Sequence, residues 1–236
     1  MLAGDSIETQ RGAWTFGGNV ADTFVTHAER SIPLYHQGHA LICRLSDFFM
    51  LPGSVGYELG TSTGQLIKHL AEHNAHKEGV RWIGVDRERG MLDKAREHTR
   101  GIDNIEFVCE ELATVNLEKS SMIASYYTMQ FVPPRLRQDV FNKIYESLEW
   151  GGALVMFEKV RGPDARFQDI LSALYNDFKV DNNFNADEII NKSASLRGVM
   201  EPFSTQGNIE LLNRAGFKDI VTVFKYICFE GFIAIK

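Results

Sequence analysis

The chain has few of the features that mark secreted, membrane-bound or nucleic-acid-binding proteins. It carries three cysteines in 236 residues, Cys43, Cys109 and Cys228, odd in number and far apart, so no disulfide frame is expected. They read as the reduced thiols of a cytoplasmic protein. No apolar run is long enough to span a bilayer, and Met1-Leu2-Ala3-Gly4-Asp5-Ser6 has neither the basic nor the apolar part of a secretory signal, so no membrane association is expected. The net charge is −6 and no Lys/Arg cluster appears, which argues against direct nucleic-acid binding and for a small-molecule substrate. His36/His39 and His69/His73/His76 have helical spacing but no Cys, Asp or Glu grouped among them. An exposed helix face is expected there, and no metal. What remains is 44% hydrophobic residues, enough for one large domain with a real core.

The chain is organised around Gly56-Tyr57-Glu58-Leu59-Gly60-Thr61-Ser62-Thr63-Gly64. Ser54-Val55 before it can start a strand. Gln65 to His73 after it is apolar at Leu66, Ile67 and Leu70, which is helical spacing. The glycines therefore sit where a strand turns into a helix, and Gly60 and Gly64 let backbone approach a ligand with no Cβ in the way. The next apolar run, Gly79 to Val85, ends in Asp86, 22 residues after Gly64. In a βαβ unit an acid there lies beside the first turn and can take both ribose hydroxyls. The spacing is not G-x-G-x-x-G, and no Lys follows Gly64 as a Walker loop requires. Glu58, two residues before Gly60, would repel a pyrophosphate and attract a sulfonium or an ammonium.

Upstream, residues 1–12 are polar and expected to be loose. Trp14 and Phe16 need something to cover, either as a dock for the leader or as part of a lid. Residues 19–30, with Asn19 as N-cap, and Tyr35 to Met50 predict two helices, closed by Pro52-Gly53. From Ser54 on, strands and helices alternate, which predicts a mostly parallel sheet with helices on both faces. Strands are expected at Ile105–Cys109, from Ser121, at Ala153–Lys159, and in a closing pair Ile220–Tyr226 and Cys228–Ile235, one of them antiparallel. Residues 160–200 break the rhythm with helical pieces and an Asn-rich stretch. Following strand five, they would cap the carboxyl ends of the strands, where open α/β sheets bind ligands. The expected division is a helical lid over residues 1–53 and a ligand-binding domain over residues 54–236, with the cap at about 160–200.

Glu58, Gly60, Ser62 and Gly64 match the first motif of the class I S-adenosylmethionine-dependent methyltransferases, E/D-x-G-x-[GS]-x-G, and Asp86 matches that superfamily's ribose acid. More specific strings follow in order: Gly12-Ala13-Trp14-Thr15-Phe16, Arg30-Ser31-Ile32-Pro33-Leu34-Tyr35, Thr128-Met129-Gln130-Phe131, Gly151-Gly152-Ala153-Leu154-Val155 and Arg214-Ala215-Gly216-Phe217. Together they resemble the carboxy-S-adenosylmethionine synthases over almost the whole chain. The resemblance implies an α/β, Rossmann-like class I methyltransferase fold with a seven-stranded sheet, a homodimer, and S-adenosylmethionine as cofactor without a metal. It puts cofactor contacts on Tyr35, Gly60, Thr61, Ser62, Asp86, Arg87, Glu111 and Leu112, with Glu58 and Gly64 added from the motif.

Two positions depart from the family. Its asparagine after strand four falls on Tyr126, and its carboxylate-binding arginine falls on Ser193, which supplies no fixed cation; Lys192 and Arg197 are the nearby cations that could, but neither is at the matching position. The implied chemistry is therefore methyl transfer to a small molecule, or attack of the sulfonium's own amino nitrogen on its side chain to give azetidine-2-carboxylate and methylthioadenosine. Carboxy-S-adenosylmethionine synthesis and binding without catalysis are the further alternatives. Tyr126, Tyr175 and Asn176 are the candidate catalytic residues, and Tyr35 and Tyr127 could help line such a pocket.

Overall fold

The computed structural model describes residues 1–5, 7–17 and 20–236. Asn19, expected as a helix cap, lies outside the described residues. Strands β1 (Val55–Leu59), β2 (Arg81–Asp86), β3 (Ile105–Cys109), β4 (Ser120–Tyr126), β5 (Leu148–Lys159), β6 (Asp219–Tyr226) and β7 (Phe229–Ile235) form one sheet in the order β3-β2-β1-β4-β5-β7-β6. The pairs from β3 to β5 are parallel, and β7 runs antiparallel to both β5 and β6. This is the seven-stranded, mostly parallel sheet that the alternation predicts.

Side-chain alternation along the strands splits the core into two layers. Tyr57, Leu59, Ile83, Val85 and Ile123 meet Phe141 and Ile144 of α5 (Pro134–Ser147) and Leu211 and Leu212 of α8 (Thr205–Ala215). Trp82, Met122 and Ala124 point the other way, against Leu66, Ile67 and Leu70 of α3 (Gln65–His73) and Ile42 of α2 (Tyr35–Ser46). β5 continues this on both faces, its residues from Gly152 to Glu158 being buried. The strand order reverses between β1 and β4, so the loops leaving their carboxyl ends diverge and open a crevice there.

The remaining helices cover that crevice. They are α1 (Val20–Ser31), before the sheet, and α6 (Ala165–Asp181) and α7 (Ala186–Ser195), after β5. α7 begins with a capping box in which Asn185 and Glu188 each accept the other's backbone N–H, which is what the Asn-rich stretch supplies. The expectation of a loose leader is overturned. The Gly12 N–H donates to Ala194 O at 3.0 Å and the Trp14 N–H to Ser195 O at 3.1 Å. Ala3, Ile7 and Trp14 are buried in a small cluster that Leu196 and Val199 of the cap join. Asp5 pairs with Arg30, whose guanidinium also reaches Asn182 O and Asn183 O. A polar leader is held here because its few apolar residues share a core with the cap, and its acid has a buried partner. Leader, α1 and the segment after β5 thus pack together over the crevice.

Gly56 marks where packing permits no side chain: a Cβ there would overlap the ring of Trp82, which is 0% exposed. Gly56→Ala is expected to cost about 1–3 kcal/mol of overpacking, or about 2–4 °C of melting temperature per kcal/mol. Gly90→Ala, at a helical position with nothing within 4 Å, should not lower it. Scanning calorimetry of the two variants checks both outcomes.

Candidate active site

At the carboxyl ends of β1, β2 and β3 the turn after β1 is packed onto its neighbours. Gly60 adopts φ 76°, and its N–H and that of Thr61 both donate to Val85 O, at 2.7 and 3.0 Å. A side chain at Gly60 would collide with Thr128 from the β4 loop. Ser62, also in the left-handed region at φ 51°, donates its N–H to Asp86 Oδ2 at 2.8 Å, and the Glu88 N–H donates to Asp86 Oδ1 at 2.9 Å. These two bonds fix the carboxylate, and each oxygen keeps a lone pair for a further donor. Burial raises the Asp86 pKa above the usual range.

Glu58 is 3% exposed, and its Oε2 accepts from Thr61 Oγ1 at 2.6 Å. Burial pushes its carboxyl up to about 8, so near neutral pH the group holds its proton until a cation arrives. A cavity of about 790 Å³ opens above these groups. Tyr35, Glu58, Gly60, Thr61, Ser62, Asp86, Arg87, Glu111 and Leu112 all line it, as do Tyr126, Tyr175 and Asn176. Gly64 does not. It sits at φ 78° beginning α3, with the space for a Cβ limited by Ala95 of α4 (Arg89–His98), so its smallness serves helix packing rather than ligand approach. Arg87 pairs with Glu88 and Glu111 at the rim.

The middle of the cavity is aromatic. The Tyr126 hydroxyl donates to Tyr35 O at 2.8 Å, and the Tyr126 ring lies 5.5 Å from that of Tyr35 and 4.7 Å from that of His39. Gly38 of α2 makes this arrangement fit, because a Cβ there would occupy the place of the Tyr126 hydroxyl. His39 is 2% exposed and contacts His69 at 3.4 Å, which corrects the expected exposed histidine face. α2 lies on the sheet, and the small Gly38 lets His39 fold in against the tyrosines. Burial lowers the His39 pKa to about 3, so the ring is neutral. The Tyr175 hydroxyl donates to Ser31 O at 2.9 Å, tying α6 to the end of α1, while Asn176 beside it is exposed at the rim.

The cap end carries two lysines that sequence reasoning missed, Lys159 and Lys179, and one, Lys192, that it weighed only as a stand-in for the implied arginine. The Lys159 and Lys179 ammonium groups lie 4.2 and 4.3 Å from the centre of the Tyr175 ring. Lys192 lies 3.1 Å from the centre of the Trp14 ring, and its Nζ is 2.8 Å from His27 Nε2. All three lysines line the cavity, and among the described residues none has an ion-pair partner. Burial, then neighbouring lysine charge, pulls Lys179 down to about 8 and Lys192 well below the ordinary value; burial also lowers Lys159. Lys159 had a readable signal in its place at the end of an apolar strand, and Lys192 was readable as a cation beside Ser193. Lys179 looks like a solvated residue in a polar insertion until the cap is assembled.

The cavity is thus acidic at the turn end and cationic under the cap. A pinned aspartate for a ribose and a buried carboxyl for a sulfonium fit S-adenosylmethionine, and the volume lies within the range of small-molecule sites. Among the described residues no group of three or more His, Cys, Asp or Glu could hold a metal ion, and no helix is long and apolar enough to cross a membrane.

Known proteins place the chain by fold and family. Residues 57–152 match the family described as "Methyltransferase domain". The carboxy-S-adenosyl-L-methionine synthase of Staphylococcus epidermidis is 35% identical over 224 residues, covering 94% of this chain and 97% of that protein. The synthase of Campylobacter lari is 33% identical, covering 94% of each. Among solved structures, human N-acetylserotonin methyltransferase in complex with SAM aligns with a TM-score of 0.59 at 15% identity, over 86% of this chain and 52% of that one. The CurJ carbon methyltransferase aligns with a TM-score of 0.65 at 13% identity, over 91% of this chain and 58% of that one. These two share the fold, and the chain spans little more than half their length. The full-length match to the synthases carries more: this chain belongs to the carboxy-S-adenosyl-L-methionine synthase family of S-adenosylmethionine-dependent, methyltransferase-fold enzymes.

Proposed function

We propose that the enzyme transfers an alkyl carbon of the S-adenosylmethionine sulfonium to a nucleophile on a small molecule held beneath the cap, methyl transfer being the first form. The observation that carries this is the polarised, lidded cavity, with Glu58 and Asp86 at one end and the Tyr35–Tyr126–Tyr175 belt in the middle. Asp86 would take the ribose hydroxyls, Glu58 would face the cation, and Gly60, Thr61 and Ser62 would let the ligand lie against the backbone. Tyr35, Arg87, Glu111 and Leu112 complete the cofactor contacts in this reading. Tyr126, Tyr175 and Asn176 would hold the reacting atoms, with ring faces toward positive charge. Alignment and exclusion of water supply the rate, with about 7–11 kcal/mol available from orientation.

A second reading is favoured by the fit of Tyr126 beside Gly38. Rings crowded there suit a folded S-adenosylmethionine whose own amino nitrogen attacks its side chain, giving azetidine-2-carboxylate and methylthioadenosine. The reaction in the relatives' name ranks below both, because Ser193 lines the cavity where the family resemblance puts an arginine. We also place the protein in the cytoplasm, in a biosynthetic role, as a homodimer. The free cysteines and the exposed Phe167, Ile170 and Leu174 along α6 support this.

Mass analysis of products separates these readings. Incubation with S-adenosylmethionine alone should give methylthioadenosine if cyclisation operates, and S-adenosylhomocysteine only with an acceptor if methyl transfer does. A carboxylated sulfonium formed with prephenate overturns both. Asp86→Ala is expected to weaken S-adenosylmethionine binding about 10–100-fold, the ~1.5–3 kcal/mol of charged hydrogen bonds; unchanged calorimetric affinity removes the aspartate from the site. Glu58 provides a pH test. Its raised pKa means that the free enzyme holds a proton that a bound sulfonium expels. Affinity should therefore rise as pH climbs toward about 8, by up to about tenfold per unit, and level off above. Glu58→Gln should flatten that rise, leaving only the smaller contribution of Asp86. The same proton makes Glu58's contribution to folding stability greatest below the ordinary carboxyl pKa and lost as pH rises through about 8.

A further inference from the structure

We propose that Lys192 accepts the proton released by the nucleophile, and that His27 and Asp5 are positioning residues that fix its orientation. Asp5 Oδ2 lies 2.8 Å from His27 Nδ1, and His27 Nε2 lies 2.8 Å from Lys192 Nζ. His27 is 5% exposed, and burial with the Lys192 charge lowers its pKa to about 4, so the ring is neutral. Asp5 can only accept from Nδ1–H, which leaves Nε2 as an acceptor. Lys192 must then donate one N–H to Nε2. A second N–H points onto the Trp14 face, which attracts N–H and repels a lone pair. The one remaining direction on the nitrogen is left for the cavity that Lys192 lines. It carries the lone pair of the amine or the third N–H of the ammonium.

The charges acting on Lys192 are Lys179 from α6 and Asp5 from the leader; Arg30 of α1 acts on His27, and Glu188 of α7 lines the same cavity. Burial and Lys179 favour the amine, and Asp5 and the Trp14 face favour the ammonium.

This inference rests on the alkyl-transfer reading. As the nucleophile forms its bond to carbon, the carbon–sulfur bond breaks and its electron pair stays on sulfur as a neutral thioether. The proton of the nucleophile's N–H or O–H passes to the Lys192 amine, making an ammonium. In the cyclising route the proton comes from the substrate's own α-ammonium, before attack, and reaches the same amine.

The test uses full-length Lys192→Arg, His27→Phe and His27→Gln with S-adenosylmethionine. Lys192→Arg keeps the cation but cannot take up a proton. It should bind S-adenosylmethionine within about twofold of wild type, lose about 100–10,000-fold in kcat, and lose the ascending limb of the pH–rate profile. His27→Phe removes the acceptor and should lower kcat about tenfold with KM unchanged, and His27→Gln, which keeps an acceptor, should restore most of it. A Lys192→Arg enzyme within threefold of wild-type kcat overturns the proposal, as does equal loss in the two His27 variants. If Lys192→Arg does not bind S-adenosylmethionine, the His27 pair decides. If wild type turns nothing over, the function reading has failed. A titration of carbon-labelled lysines, with the Lys192 signal assigned by its loss in Lys192→Arg, then decides: titration well below the bulk lysines supports the proposal, and titration with them overturns it.

Discussion

The site depends on how closely the first turn can be pressed onto the neighbouring strands. Gly60 passes under Thr128 at a positive φ, and its N–H and that of Thr61 share Val85 O. That places Ser62, itself left-handed, with its N–H on Asp86. The carboxyl ends of β1 and β2 are locked together by backbone bonds before any ligand arrives. The carboxylate is aimed by two peptide N–H groups, not by a flexible partner, so little reorganisation is needed when a ribose is held there. Any side chain at Gly60 would unseat this arrangement at its first link.

The second constraint is the lid, built from both ends of the sequence order. Asp5 in the leader reaches Arg30 and His27 of α1, and Arg30 reaches the carbonyls that end α6. Trp14 supplies both a backbone bond to the end of α7 and a ring face for Lys192. Leader and cap share one small apolar cluster, Ala3, Ile7 and Trp14 packing with Leu196 and Val199 over the cavity. Tyr175 extends the same link to the cap side through Ser31 O.

Much of the sheet was legible because its signals are local. Alternation separates Tyr57 and Leu59 from Gly56 and Glu58 along one short strand, and an acid 22 residues after Gly64 says where the second strand stops. The turn end of the cavity was readable for the same reason, since the residues that line it follow strand ends in order. Gly64 shows the limit of such reading. A motif glycine has two uses, ligand approach and helix packing, and only the position of Ala95 decides between them. His39 shows another limit: its spacing is that of a surface helix, and its burial depends on Gly38 and on a tyrosine nearly ninety residues away. Lys192 could be named as a cation beside Ser193, but the environment of the lysines under the cap was illegible because it is made by three segments that share no local pattern.

The cap end is cationic. Where the family resemblance implies an arginine stands Ser193, which carries no charge, while the residue before it, Lys192, projects into the same cavity together with Lys159 and Lys179. What differs is the kind of cation present: a guanidinium stays charged and offers a planar fork, whereas a buried ammonium can give up its proton. Three lysines that repel one another, held on aromatic faces rather than by acids, form a field that favours the release of a proton from at least one of them. In the proposed reaction Glu58 gives up its proton when a sulfonium binds and Lys192, beside His27, takes one up from the nucleophile, so proton loss and proton gain lie at opposite ends of one cavity. That separation suits a reaction in which a neutral nucleophile must be made within reach of a cationic electrophile.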